Sequence, residues 1–351
     1  MRCFFTASDI FRGSSYGKGH PLNIPRVWPV MDLCRGFGWL DDRCYMPVNP
    51  ATADELSLFH HADYIAALLE AEQNQDLAPE KRALFHIGQS GNPIYPEIYS
   101  RPATAAKASM VGAKLLATKQ ADYVFNPSGG THHGQPGRAS GFCFVNDPVL
   151  AILTMQNEGV SRIAYIDIDA HHADGVQDAL SHDPALRLYS VHEEDRWPRT
   201  GMTGDVGAGS ARNYVLPRGA GDSDLLQVMQ RSILPDIERF QPEILVIQAG
   251  SDGLAADPQS GLTYTTDGYW QAVQLCLTLQ LPALILGGGG YNPITTARAW
   301  TGIWGLLIGA DPHNMSLDAE AGAMLRSLQF PHRLGRNMPE RWFTHLGDRT
   351  A

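Results

Sequence analysis

Positive charge is the first thing this chain is short of. Its 27 Lys and Arg stand against 37 Asp and Glu, a net charge of −10 at neutral pH. An acidic surface repels a phosphate backbone, which excludes nucleic acid as a partner and favours neutral or cationic ones. Long apolar runs are missing too: nothing approaches the ~18 uninterrupted apolar residues of a membrane span, so no membrane is expected. The opening MRCFFTASDIFRG lacks the apolar core and small-residue cleavage site of an export signal. Cysteine is sparse and unpatterned. Cys3, Cys34, Cys44, Cys143 and Cys276 are odd in number and include no C-x-x-C, which argues for reduced thiols in a cytoplasmic setting. Repeats, low-complexity tracts and linkers are absent, so one unit over 1–351 is expected, with oligomeric state left open.

What is there suffices for a large core: 44% of the 351 residues are hydrophobic. Strand patterns fall at 1–5, 121–126, 163–168, 187–191, 243–249 and 282–286. Helical patterns fall at 26–36, 52–69, 101–118, 147–156, 225–240, 265–279 and 294–308. The run 192–221 shows no periodicity, and the tail from Met315 is amphipathic. His60 and His61 sit within the 52–69 pattern, where surface or capping roles are expected. The loop 84–99 is too rich in Gly, Asn and Pro for regular structure, and loops of that length usually have a job, here a site rim. Strands alternating with helices imply an α/β fold, a doubly wound parallel sheet flanked by helices.

One stretch organises the rest: Arg162 to Gly175, RIAYIDIDAHHADG. Its first half reads as a strand buried on both faces. Asp167, Asp169, His171, His172 and Asp174 then arrive within eight residues. Side chains alternate along a strand, so Asp167 and Asp169 share a face, and His171 continues the row if the chain stays extended. Two carboxylates at a buried strand end are costly unless a cation neutralises them. The nearby imidazole suggests zinc rather than magnesium or calcium.

Other reactive side chains fall just past predicted strand ends, where open α/β sheets place their sites: His132 and His133, Asp252, and Tyr291 after four glycines. Asp169, His171 and Asp252 would hold a metal with three ligands and leave positions open, as catalytic zinc requires. His132 and His133 can bond to a water, one serving as base and then acid, with Asp167 and Asp174 fixing their tautomers. Tyr291 can donate to an oxyanion. The set describes metal-assisted hydrolysis of an amide or ester.

These motifs, IAYIDIDAHHADGV, GGTHH…SGFCFVND, QAGSDGLAADP and ILGGGGYN, resemble those of the zinc-dependent histone deacetylase family. That family includes acetoin-utilisation proteins and acetylpolyamine amidohydrolases on the arginase–deacetylase fold. The likeness runs from about Lys18 to about Gly309. It implies one Zn2+ on Asp169, His171 and Asp252, removing an acetyl group from acetyl-lysine, an acetylated polyamine or another small amine. His133 with Asp174 would be the general acid/base, His132 with Asp167 the electrostatic partner, and Tyr291 the carbonyl-polarising group. Gly141, Phe142, Trp197 and Gln259 would contact substrate. Arg26 would sit by an internal acetate cavity. Asp167, Asp169, His171, Ser190 and Val191 match a monovalent-cation site, so K+ is expected beside the zinc.

Departures bear on the substrate. The family's P-G-T-G-D reads PRTGMTGD, three residues longer, and Gly91 stands near the place of a rim aspartate that grips peptide backbones. Gln259 replaces the leucine, methionine or glutamate of better-marked branches. Glu193, Glu194 and Asp195 are expected to form an acidic entrance that favours small or extended cationic acyl-amines. Two alternatives make other demands on the sequence. A binuclear manganese ureohydrolase on this fold needs carboxylates where Ala173 and Leu254 stand. An inactive acetyl-lysine-binding scaffold would be expected to have lost a ligand, a histidine or the tyrosine.

Overall fold

The segments IAYID, ILVIQ and ALIL are almost wholly apolar and short, and each is buried along its full length. Such runs suit a parallel sheet covered on both faces. The computed structural model, which describes residues 1–89 and 91–349, has that arrangement at its centre. Eight strands pair in parallel: β1 (Cys3–Ala7), β2 (Tyr45–Pro47), β3 (Tyr123–Asn126), β4 (Ile163–Asp167), β5 (Leu186–Glu193), β6 (Ala211–Leu216), β7 (Ile244–Gln248) and β8 (Ala283–Leu286). Their spatial order is β2-β1-β3-β8-β7-β4-β5-β6.

Alternation along the central strands divides the core into two layers. Ala164, Ile166, Leu245 and Ile247 pack on the side of Trp270, Trp300 and Trp304. Ile163, Tyr165, Ile244 and Val246 pack on the other, against Val149, Ile152 and Met155. Two of the helices that cover these layers begin at an asparagine cap. Asn146 accepts from the Val149 amide at the start of Asp147–Asn157, and Asn292 accepts from Ile294 and Thr295 at the start of Pro293–Leu307. Among the described residues no helix is long and apolar enough to cross a membrane.

Three expectations need correction. The 52–69 pattern is not one helix but two, Ala53–Leu56 and Ala62–Asn74. His60 lies in the break and is buried, not at the surface or in a cap, because its ring bonds to backbone on both sides. The aperiodic run 192–221 contains β6, an edge strand whose partial exposure blurs its alternation. β2, three residues on the opposite edge, is too short to leave a pattern.

The tail beyond Met315 is fastened to the core. Arg298, wholly buried on the helix Pro293–Leu307, pairs through Nη2 with Asp348 at 2.8 Å. Its Nε donates to the His345 carbonyl, and Asp348 also accepts from the Thr266 amide. Burial works against the charge on Asp348, yet Arg298 and the Thr266 amide hold its carboxyl below the usual range. Asp348→Ala should therefore strand a buried guanidinium and cost about 3 kcal/mol, read as a lower urea midpoint at pH 7. Because the folded pKa is depressed, the difference should shrink as pH falls through the carboxylate range. An unchanged midpoint would mean that the tail is not braced by this pair.

Candidate metal and catalytic site

The middle of the strand order, β3-β8-β7-β4, brings four strand ends side by side. Each contributes one part of a single site. Past β4, Asp169 and His171 follow; past β7, Asp252; past β8, Tyr291; past β3, the turn carrying His132 and His133. The chain leaves extended structure at Asp167, so the row of side chains read from alternation ends there and a turn places Asp169 and His171.

Asp169, His171 and Asp252 bring one ligand atom each to within 4.8 Å of the others. His171 Nδ1 lies 3.1 Å from Asp169 Oδ1 and 2.9 Å from Asp252 Oδ2. Ligands of one tetrahedral ion with bonds of ~2.0–2.1 Å sit about 3.3 Å apart, so the three donors fit one small cation. Their electrostatics point the same way. Burial opposes a charge on His171, but Asp169 and Asp252 pull its pKa up to about 10. Burial and Asp169 push Asp252 up to about 6. The cluster calls for positive charge, which a metal supplies. The remaining carboxylate oxygens are taken: Asp169 Oδ2 accepts from Gly289 N at 2.7 Å and Asp252 Oδ1 from Ala170 N at 2.8 Å. Glycine permits this approach, since a Cβ at residue 289 would fall 2.1 Å from Asp252 Oδ2.

The histidine turn hangs on a buried carboxylate that sequence reading passed over. Asp147 accepts from the amides of Gly130 and Thr131 and from the hydroxyls of Ser109 and Thr131. His132 then meets Asp167 at 2.7 Å and His133 meets Asp174 at 2.6 Å, both through Nδ1. The two dyads differ electrostatically. Burial disfavours charge on His132, but Asp167 and Asp169 raise it to about 9. Burial and the charge of His132 lower His133 to about 4. With Nδ1–H given to Asp174, neutral His133 keeps a basic Nε2.

A cavity of about 430 Å³ descends to these groups, lined by His133, His171 and Tyr291 at depth. Gly141, Phe142, Trp197 and Gln259 line it as well, with His86, Asn92 and Ser140. The Trp197 ring stands 4.6 Å from that of His133, nearly perpendicular, and 45% of the residue remains exposed. The Tyr291 hydroxyl has no hydrogen-bond partner among the described residues, although it borders the cavity. Arg26 lines a small hollow below, donating from Nη1 to the Gly288 carbonyl at 2.6 Å. Ser190 and Val191 lie on β5 beside β4, with Ser190 paired in register to Asp167. The Ser190 hydroxyl is engaged by His192 Nδ1 at 2.9 Å.

The acidic entrance is not formed as expected. Glu193 is 3% exposed; Arg196 grips it through two hydrogen bonds, and Gly261 N donates a third. Glu194 and Asp195 are exposed but do not line the cavity. In their place the 84–99 loop supplies neutral groups. Asn92 Oδ1 accepts from the Phe142 amide and Asn92 Nδ2 donates to the His86 carbonyl. A Cβ at Gly91 would come 2.6 Å from the Phe142 ring, and the φ of +81° there favours glycine, so the position disfavours any side chain. Asn92 and His86 went unnamed in the sequence; the composition of their loop was the only available signal.

Fold and site together define an α/β protein of arginase–deacetylase architecture, with a metal-competent Asp-His-Asp cluster at the strand ends. Comparison with known proteins narrows the class. The histone deacetylase domain profile matches residues 20–307, and the chain belongs to that family. It is 32% identical over 305 residues to probable histone deacetylase 1-A of Xenopus laevis, covering 85% of this chain and 63% of that one. Human histone deacetylase 1 is 33% identical over 306 residues, with the same coverage. Thus the chain spans less than two thirds of the length of these relatives. A crystal structure of an HDAC homolog from Aquifex aeolicus superposes with a TM-score of 0.93 at 31% identity, covering 99% of this chain and 95% of that one. An HDAC homolog complexed with SAHA gives 0.92, also at 31% identity and with the same coverage.

His60 supports this site from behind. Its Nε2 accepts from the Asn146 amide, and Asn146 Nδ2 donates to the carbonyls of His132 and Gly134. Burial lowers the His60 pKa to about 4. Its folded pKa lies below the unfolded value of ~6.5, so the unfolded chain binds more protons between those limits. Stability should accordingly fall as pH drops from 6.5 towards 4, on the order of 2–3 kcal/mol from this residue. His60→Gln should flatten that part of the profile in denaturant melts; parallel profiles would remove His60 from the account.

Proposed function

We propose that this chain is a zinc-dependent amidohydrolase that removes an acetyl group from an amine, either acetyl-lysine or a small acetylated amine. The observation that carries the reading is the convergence, at the foot of one cavity, of the Asp169–His171–Asp252 cluster, two His–Asp dyads and the Tyr291 hydroxyl, unpaired among the described residues. Asp169, His171 and Asp252 would hold the Zn2+, which when bound would supply Lewis acidity toward the amide carbonyl and a water. His133 Nε2 takes the proton of the attacking water and returns it to the departing amine nitrogen, with Asp174 holding its tautomer. His132, kept charged by Asp167, offsets negative charge that develops beside it. Tyr291 donates its hydroxyl to the oxygen of the tetrahedral intermediate. Gly141, Phe142 and Trp197 would wall the acyl chain, and Gln259 would meet the body of the substrate. The family likeness supports K+ at Asp167, Asp169, His171, Ser190 and Val191, and acetate release past Arg26.

The ureohydrolase alternative has no support from the second metal position, where Ala173 and Leu254 are buried and cannot ligate. For substrate, burial of Glu193 weakens the argument from an acidic entrance. The neutral lining of Asn92, Ser140 and Gln259 is compatible with acetylated amines of either charge.

Active protein should carry close to one zinc per chain and release acetate from acetyl-lysine peptides or small N-acetyl amines. Tyr291→Phe should retain the metal and the fold while lowering kcat by ~10²–10³. Two bound manganese ions with urea release, or wild-type turnover by Tyr291→Phe, would overturn the reading.

A further inference from the structure

Tyr291 follows Gly287–Gly290, of which Gly288 and Gly290 have φ of +129° and +151°. This run lets the backbone close on Asp169 and Asp252 but supplies almost no torsional restraint of its own. Nor is the Tyr291 ring held by its hydroxyl, which is unpaired among the described residues. Something outside the glycine run must set where the tyrosine starts.

We propose that Asp257 is the positioning residue that aims Tyr291 at the reacting carbonyl, and that it ties Tyr291 to the cavity-lining loop carrying Gln259. Asp257 is 4% exposed. Its Oδ2 accepts from the Tyr291 amide at 2.7 Å, and its Oδ1 accepts from the Gln259 amide at 2.9 Å. One carboxylate thus bridges the segment after β7 and the segment after β8. A second tie runs parallel to it: Asn292 Nδ2 donates to the Ala256 carbonyl at 3.2 Å. Ala256 has a φ of +72°, a conformation that costs a residue with a side chain and persists only where its surroundings impose it. The consequence is geometric. An oxyanion donor must lie within ~2.7–3.1 Å of its target, and a 1 Å misplacement can cost about 10² in rate. Asp257 acts through the backbone of Tyr291 and does not touch substrate.

The inference rests on the amide-hydrolysis reading, and a double-mutant cycle separates the two. Asp257→Asn is nearly isosteric but replaces one acceptor with an NH2 group, so one of the two amide bonds is lost. It should lower kcat by about 10-fold or more while KM, zinc content and melting temperature stay close to wild type. In a Tyr291→Phe background, where the hydroxyl to be aimed is gone, the same substitution should cost less than about 3-fold. Should Asp257→Asn fail to fold, the α-hydroxy acid analogue of tyrosine at position 291 deletes only the N–H donor and should reproduce the loss in kcat. An equal loss in both backgrounds, full activity of folded Asp257→Asn, or full activity of the ester-linked protein overturns the inference alone. Absence of turnover on any acetylated amine by zinc-loaded wild type overturns the amide-hydrolysis reading and the inference with it.

Discussion

Compensation of buried negative charge is the constraint on which this structure depends. Asp147, Asp167, Asp169 and Asp252 are each at most 1% exposed, with Asp257 close behind at 4%. An isolated ionised carboxylate in such surroundings costs more than a fold can sustain. Each one here has a specific answer. Asp147 and Asp257 are met by backbone amides, and Asp167 by His132 and the Tyr165 hydroxyl. Against burial, His132 and His171 hold Asp169 well below the usual carboxylate range, whereas burial and Asp169 push Asp252 up to about 6, and that unmet charge is what suits the cluster to a cation.

The same need fixes the backbone around it. Two neighbouring segments pass so close to these carboxylates that no side chain fits: a Cβ at Gly250 would fall 2.1 Å from Asp169 Oδ2, and one at Gly289 2.1 Å from Asp252 Oδ2. Conformational freedom introduced there is withdrawn by ties from outside, such as Asp147 beneath the histidine turn and Asp257 beneath Tyr291. Local looseness and distant restraint are two sides of one arrangement, since a metal-competent cluster needs close approach of backbone and the side chains around it need fixed aim.

Much of this was readable before any coordinates. The central strands follow from short, almost wholly apolar runs with polar residues at their ends, and the helices between them from stripes of helical period. What escaped reading has definite causes. β6 is an edge strand, and its buried and half-buried residues do not alternate cleanly. The helical stripe at 52–69 does not reveal that His60 finds backbone partners in the histidine turn, 75 residues on. Glu193 looked like a rim acid because Arg196 lies three residues away, and linear text does not tell a solvated turn from a buried pair.

The sequence by itself determined the donor chemistry: which side chains could ligate, transfer a proton or hold an oxyanion, and that each follows a buried strand. Only the tertiary structure decided that β3, β8, β7 and β4 are neighbours, and so that those donors share one cavity. It also decided which charges are spent on structure, as in Glu193 with Arg196 and Arg298 with Asp348, and which are left for chemistry. The reason is physical. Strand propensity and side-chain type are local properties. Strand order and charge pairing instead arise from contacts between segments tens to hundreds of residues apart, whose free energies are settled by burial.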